Sequence, residues 1–323
     1  MSARTTSPLT TSSVAVVVVL LLACADGGQF EADVSEVSEP SVDSSELIPE
    51  LDPEPEPALE SELELDAQPE VESDPEPERK PADLPETIEF VFSDGAEHER
   101  EPVVRALTII NDAFAQRFGA SVEEATILVS DDLGQHEEVI VSELGIPAQH
   151  LNITSEVYAQ AFPRLVAVYT AHEAYDGSIP FNILAHEWFH VLQHQLAYRG
   201  ADMHLNPRWM GEGNAVYVEV VPSEERGQPG IRHHYEASCA GKDIALENLE
   251  ANDDLEAIRR MELLEYCGGF LATERLVESA GEKALIDYWE RVGDGAAWRD
   301  AFAAAFGVSV DDFYSEFAAY LDN

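Results

Sequence analysis

Two histidines four residues apart, with a glutamate directly after the first, stand at His186, Glu187 and His190 in the pentapeptide HEWFH. On a helix, residues four apart lie on one face with Cβ atoms about 6 Å apart. Two imidazoles so placed can share one Zn²⁺ at about 2.0–2.1 Å. Glu187 then points beside the metal rather than at it, where a carboxylate can act as general base toward water. Glu212 follows His190 by 22 residues, inside MGEGNAVY. It is the candidate third ligand, which leaves a fourth position open for water and substrate.

The elements that must position these residues are legible around them. SIPFNILAHEWFHVLQHQL reads as one helix, with Ser178 able to cap it and Pro180 fitting its first turn. Leu184, Trp188 and Val191 follow helical spacing and predict a buried stripe. A second helix is predicted from Pro207 to about Val221, with Glu212 near its start. His194 continues the four-residue series, but a third histidine on a straight helix lies about 6 Å further along the axis. It is therefore expected on the surface or behind the ligands. Trp209 and Phe189 read as core.

HEWFHVLQ followed by PRWMGEGNAVY resembles the gluzincin metallopeptidases, the thermolysin-like group of the peptidase MA clan. In that family an HExxH helix is followed by a Trp-x-x-Glu-Gly-x-Ala-x-Tyr-type helix whose glutamate binds zinc. The resemblance implies His186, His190 and Glu212 as ligands and Glu187 as catalytic base. It extends to EYCGGFLATERLVESAG, which contains Tyr266, and to AFGVSVDDFYSEFAAYL, covering roughly residues 160–320. Gly211 departs from the family, many members of which carry Asn before the Glu-Gly pair. A metzincin would need Gly in place of Gln193 and His in place of Leu196. Tyr266 could donate its phenol to the oxyanion of a tetrahedral intermediate, and His233 and His234 have suitable chemistry in a segment that reads as irregular.

The beginning of the chain reads differently. Arg4 precedes an apolar run from Val14 to Leu22, too short to cross a bilayer and suited to a secretory signal. Leu21 to Cys24, LLAC, resembles the lipobox of bacterial lipoproteins, in which the cysteine is lipidated after cleavage. The expectation is a signal peptide at 1–23, then an acylated Cys24 and an acidic tether to residue 86. From Ala25 to Glu86 the chain carries 22 acidic against 2 basic residues, nearly half of the net charge of −46. Such a segment buries too little apolar area to offset its ordering entropy. As a coil it would span roughly 45 Å and as an extended polyproline-like chain about 190 Å. The acidic balance argues against nucleic-acid partners and against electrostatic docking on anionic lipids. Membrane association is expected through the acyl chains, which places the protein at the bacterial cell envelope, periplasmic or surface-exposed.

The remaining residues, 87–323, predict one zincin-like metallopeptidase domain of α+β class. Strands are expected at Thr87–Phe92, Ala125–Ser130 and Leu165–Thr170, the last in the place of the family's substrate-pairing edge strand. A helix with Val104, Leu107, Ile110 and Phe114 on one face lies between the first two, and Glu137–Leu144 reads as a short helix or strand. Together these predict a small N-terminal mixed sheet with helices, then the HExxH helix. A mainly α-helical half follows, over Leu246–Glu278, Glu282–Val292, Ala297–Phe306 and Val310–Leu321. Cys239 and Cys267 can form one disulfide outside the cytoplasm or remain buried thiols. The function expected is a secreted, lipid-anchored zinc metallopeptidase acting on peptide or protein substrates. The alternatives are a non-catalytic cell-surface zinc-binding lipoprotein and a zinc hydrolase of a non-peptide bond.

Overall fold

The computed structural model describes residues 82–145, 153, 157–197, 207–228, 230–250 and 264–321. The leader, Cys24 and the acidic segment as far as residue 81 lie outside these described residues. Within them, two β-α units come first. Strand β1 (Ile88–Phe92) leads through a 3₁₀ turn at Asp94–Glu99 into helix α1 (Arg100–Phe118). Strand β2 (Ala125–Ser130) leads into α2 (Leu133–Leu144). Asp132 caps α2 by accepting from Gln135 N at 2.9 Å, and Gly145 ends it in a left-handed conformation, φ 64°.

The sheet is completed by a hairpin, β3 (Ala159–Phe162) and β4 (Leu165–Tyr169), turned by Pro163 and Arg164. The order is β1-β2-β4-β3, with parallel pairing except for antiparallel β3 against β4. This is the small mixed sheet expected, with one change. Leu165–Tyr169 is internal, between β2 and β3, and the edge next to it is the short strand Ala159–Phe162. An alanine-rich AQAF has weak strand propensity of its own; its pairing with β4, Ala159 opposite Val168 through Phe162 opposite Leu165, makes it a strand.

Side chains alternate across the sheet. Ile127, Val129, Ala159, Ala161, Val166 and Val168 join the main core with α1 and the helix Phe181–Ala197. Leu128, Phe162, Leu165 and Ala167 face Ile140 of α2 on the other side. Helix α1 packs through Val103, Leu107, Ile110, Phe114 and Phe118. Val103, not Val104, opens the stripe, because the buried rows run i, i+4, i+7, i+11 and i+15 from it.

Helix α3 (Phe181–Ala197) carries HEWFH. It starts one residue after Pro180, so Ser178 lies outside it. Its middle is buried on all sides, since it packs against β3, α1 and the later helices Arg208–Glu225 and Lys283–Gly293. Trp188 donates through Nε1 to Asn111 Oδ1 at 3.0 Å, and Phe189 meets Phe114 and Phe118 edge-on or tilted, as core. Helix α4 (Arg208–Glu225), with Pro207 before it, carries Glu212. Then follow α5 (Ile231–Cys239), a 3₁₀ turn at Leu246–Leu249, α6 (Leu264–Ala280), α7 (Lys283–Gly293), α8 (Trp298–Phe306) and α9 (Val310–Leu321). Leu246–Glu278 is thus not one helix: the 3₁₀ turn stops at Leu249 and α6 starts at Leu264. The result is a mixed α+β fold, mostly helical, with a four-stranded sheet.

Helices α4 and α6 cross where each has a glycine. A Cβ on Gly213 would lie 2.3 Å from the Gly269 carbonyl carbon, and one on Gly269 would lie 2.4 Å from Trp209 O. Only hydrogen at both places lets the backbones approach this closely. The crossing brings Glu212 and Tyr266 to the same side as the two histidines.

Candidate metal centre

His186, His190 and Glu212 converge, each buried. His186 Nε2 lies 3.2 Å from His190 Nε2. Glu212 Oε2 lies 3.6 Å from the first and 3.3 Å from the second. Ligands of a tetrahedral zinc at about 2.0–2.1 Å lie about 3.3 Å from each other. The three atoms form a triangle of that size.

Hydrogen bonds behind the candidate ligands orient what the triangle presents. His186 Nδ1 is 3.1 Å from Glu219 Oε2. Glu219 accepts there, so Nδ1 carries a proton and Nε2 is the nitrogen turned toward the metal position. For His190 the chain is longer. Gln193 Nε2 donates to the Gly211 carbonyl at 3.0 Å, which turns Gln193 Oε1 toward His190 Nδ1 at 2.8 Å. That oxygen accepts, so His190 likewise carries a proton on Nδ1 and turns Nε2 toward the metal position. Two imidazole nitrogens and a carboxylate oxygen meeting in a buried space need positive charge between them: burial lowers the His186 imidazole, but Glu212 and Glu219 outweigh it and raise it to about 10, so a proton or a metal ion supplies that charge. Glu212 Oε2 has no hydrogen-bond partner there. These donors fit zinc, an ion of imidazole and carboxylate ligands.

Glu219 was not singled out in the sequence, although it lies seven residues beyond Glu212, on the same face of α4. Its Oε2 also accepts from Tyr235 at 2.9 Å, and its Oε1 from Asn182 at 2.8 Å. Arg208, one turn before Glu212, places Nη2 3.3 Å from Glu212 Oε1. Burial raises the Glu212 carboxyl, but Arg208 and His190 outweigh it and hold the group well below the usual carboxylate range.

Glu187 is fully buried, and neither of its oxygens has a partner. Burial pushes its carboxyl up, against the pull of His186 and His190. Tyr266 stacks on His186 with ring centroids 6.1 Å apart, and its buried hydroxyl has no partner. Burial, then Glu212, push the phenol well above its ordinary value, so it keeps its proton as a donor. Cys267, the next residue, is joined to Cys239 by a disulfide, which ties α6 to the end of α5, one turn past Tyr235.

Other expected residues lie elsewhere. His194 is half-buried and outside the ligand group; burial, then His190, lower its imidazole to about 3. His233 and His234 are not in an irregular segment but on α5, on its exposed side. The α5 residue that reaches the site is the next one, Tyr235. Trp209 is core, stacked on Phe313 with Nε1 donating to Tyr314 at 2.9 Å.

No model of a protein family matches the chain, and no curated protein matches it. Two solved structures do, both of the M1 zinc metallopeptidase from Deinococcus radiodurans, one of them a mutant. Each is 16% identical over 71% of this chain, with TM-scores of 0.39 and 0.38. The chain covers 47% of each, so it spans about half the length of the structures it matches.

Proposed function

We propose that this protein is a zinc metallopeptidase, secreted and lipid-anchored through Cys24 at the bacterial cell envelope, that hydrolyses peptide bonds in peptide or protein substrates. The observation that carries the reading is a pair of facts about one buried space. His186, His190 and Glu212 present three ligand atoms at 3.2, 3.3 and 3.6 Å from one another. Beside them Glu187 keeps both carboxylate oxygens unpartnered. A purely structural metal site has no use for such a carboxylate.

His186, His190 and Glu212 would hold the zinc. Bound there, zinc polarises a carbonyl and lowers the pKa of water to about 7. Glu187 takes the proton of the attacking water and passes it to the leaving amine, a task suited to a carboxyl whose pKa is raised by burial. Tyr266 donates its hydroxyl to the substrate oxygen on which negative charge develops.

The test is digestion of a proteome-derived peptide library by the zinc-loaded chain and by its Glu187→Gln variant. The parent is expected to cleave and the variant to lose cleavage. A zinc-loaded parent that cleaves nothing, or equal cleavage by both, refutes the proposal.

A further inference from the structure

The buried pair Arg208 and Glu265 is unusual for its cost. Arg208 is 5% exposed and Glu265 is 1% exposed. Arg208 Nε lies 3.3 Å from Glu265 Oε1, and its Nη2 lies 3.3 Å from Glu212 Oε1. Removing such charges from water costs several kcal/mol per ion, and a well-packed apolar pair of similar volume is often as stable or more stable. Stability alone does not account for the arrangement, but its geometry does.

Glu212 has two oxygens with different surroundings. Oε1 faces the Arg208 guanidinium. Oε2 faces both imidazoles and has no hydrogen-bond partner. A carboxylate free to turn presents both oxygens to a cation and takes two places in its shell. One that presents a single oxygen leaves the other place for water or substrate.

We infer that Arg208, oriented by Glu265, is a positioning residue that withholds Glu212 Oε1 from the metal, so that three protein atoms and one water or substrate atom make four ligands and Oε1 does not add a fifth. The inference rests on the zinc reading. The guanidinium suits the role because it is planar, always charged and able to hold two carboxylates through separate N–H groups. Glu265 anchors it from α6, where it immediately precedes Tyr266. The pair therefore links the helix of the third ligand to the helix of the candidate hydroxyl donor.

Cobalt(II) in place of zinc provides the readout, because its visible absorption is strong with four ligands and weaker with five. The parent chain, Arg208→Met, Arg208→Lys and Glu265→Gln are loaded with cobalt, and hydrolysis is measured on the zinc forms. Arg208→Met is expected to keep one cobalt per chain while its visible absorption falls several-fold. Its kcat should fall by about tenfold or more with KM little changed. Arg208→Lys should restore only part of both, since an ammonium cannot hold both carboxylates in one plane. Glu265→Gln should shift the spectrum in the same direction to a smaller extent. A parent-like spectrum in Arg208→Met overturns the inference, and so does complete loss of cobalt, which would mean that Arg208 assembles the site. If Arg208→Met does not fold, Glu265→Gln decides, and a parent-like spectrum there overturns it. A parent chain that binds neither cobalt nor zinc overturns the zinc reading itself, and this role with it.

Discussion

Gln193 and Gly211 are joined across two helices by one hydrogen bond, Nε2 to carbonyl oxygen at 3.0 Å. Because the Gly211 carbonyl can only accept, that bond settles which end of the Gln193 amide faces His190. Through Gln193 Oε1, 2.8 Å from Nδ1, it thereby fixes which ring nitrogen of His190, a candidate ligand, faces the metal position.

Removing or neutralising the acceptors behind the histidines should weaken metal binding without abolishing it. Gln193→Leu and Glu219→Gln are each expected to lower zinc affinity by about 10–100-fold. Competition with a chromogenic chelator measures this. Parent affinity in both variants would mean that the imidazoles are held by packing alone.

The glycine crossing makes a sharper structural prediction. Gly213→Ala places a Cβ 2.3 Å from the Gly269 carbonyl carbon, a backbone atom that has no rotamer with which to yield. The helices must separate, at a cost of about 1–3 kcal/mol, and Glu212 moves away from Tyr266. Denaturant unfolding together with zinc content should show both losses. An unaltered unfolding midpoint would rule out the close approach.

Acid should weaken the fold through His136, which is 4% exposed, with its Nδ1 unpartnered and its ring 5.7 Å from that of Tyr169. Burial lowers its imidazole to about 4, against about 6.5 in an unfolded chain. Between those values the unfolded state binds more protons. The contribution is therefore fully present above about pH 6.5 and is lost as pH falls toward 4, up to about 3 kcal/mol in all. His136→Phe should be less sensitive to acid over that window, by urea unfolding at pH 7, 5.5 and 4.5. An equal acid loss in the variant would assign it to carboxylates instead.

The anchor has its own test. Cys24→Ala should move the protein from the membrane fraction to the soluble one, because no described helix is long and apolar enough to cross a membrane and acyl chains are the proposed hold. Full retention in the membrane fraction by the variant would contradict the proposal.

The candidate ligand set was legible because each member obeys a local rule. His186 and His190 obey helical spacing, and Glu212 has a recognisable helix start in Pro207. The residues that tune them obey no local rule. Glu219 reaches His186 across 33 positions and Tyr235 reaches Glu219 across 16, and a turn of α5 decides that Tyr235 points inward while His233 and His234 point out. Strand β3 escaped for a similar reason. AQAF has little intrinsic preference, and the Pro163-Arg164 turn that folds it onto β4 is weak punctuation between two apolar stretches. The edge of the sheet therefore fell one strand away from the segment whose composition advertised it. Cys267 pairs with Cys239 through the packing of α5 on α6, a relation that residue counting left open.

The split between ligand and base is the centre of the account, and zinc content tests it most directly. Glu212→Ala and Glu187→Gln are purified in parallel, dialysed against dilute zinc and analysed by elemental mass spectrometry, with peptide hydrolysis measured on the same samples. Glu187→Gln is expected to hold about one zinc per chain and to hydrolyse nothing measurable, whereas Glu212→Ala should lose its zinc. One zinc per chain in Glu212→Ala, held as tightly as in the parent, would contradict the account.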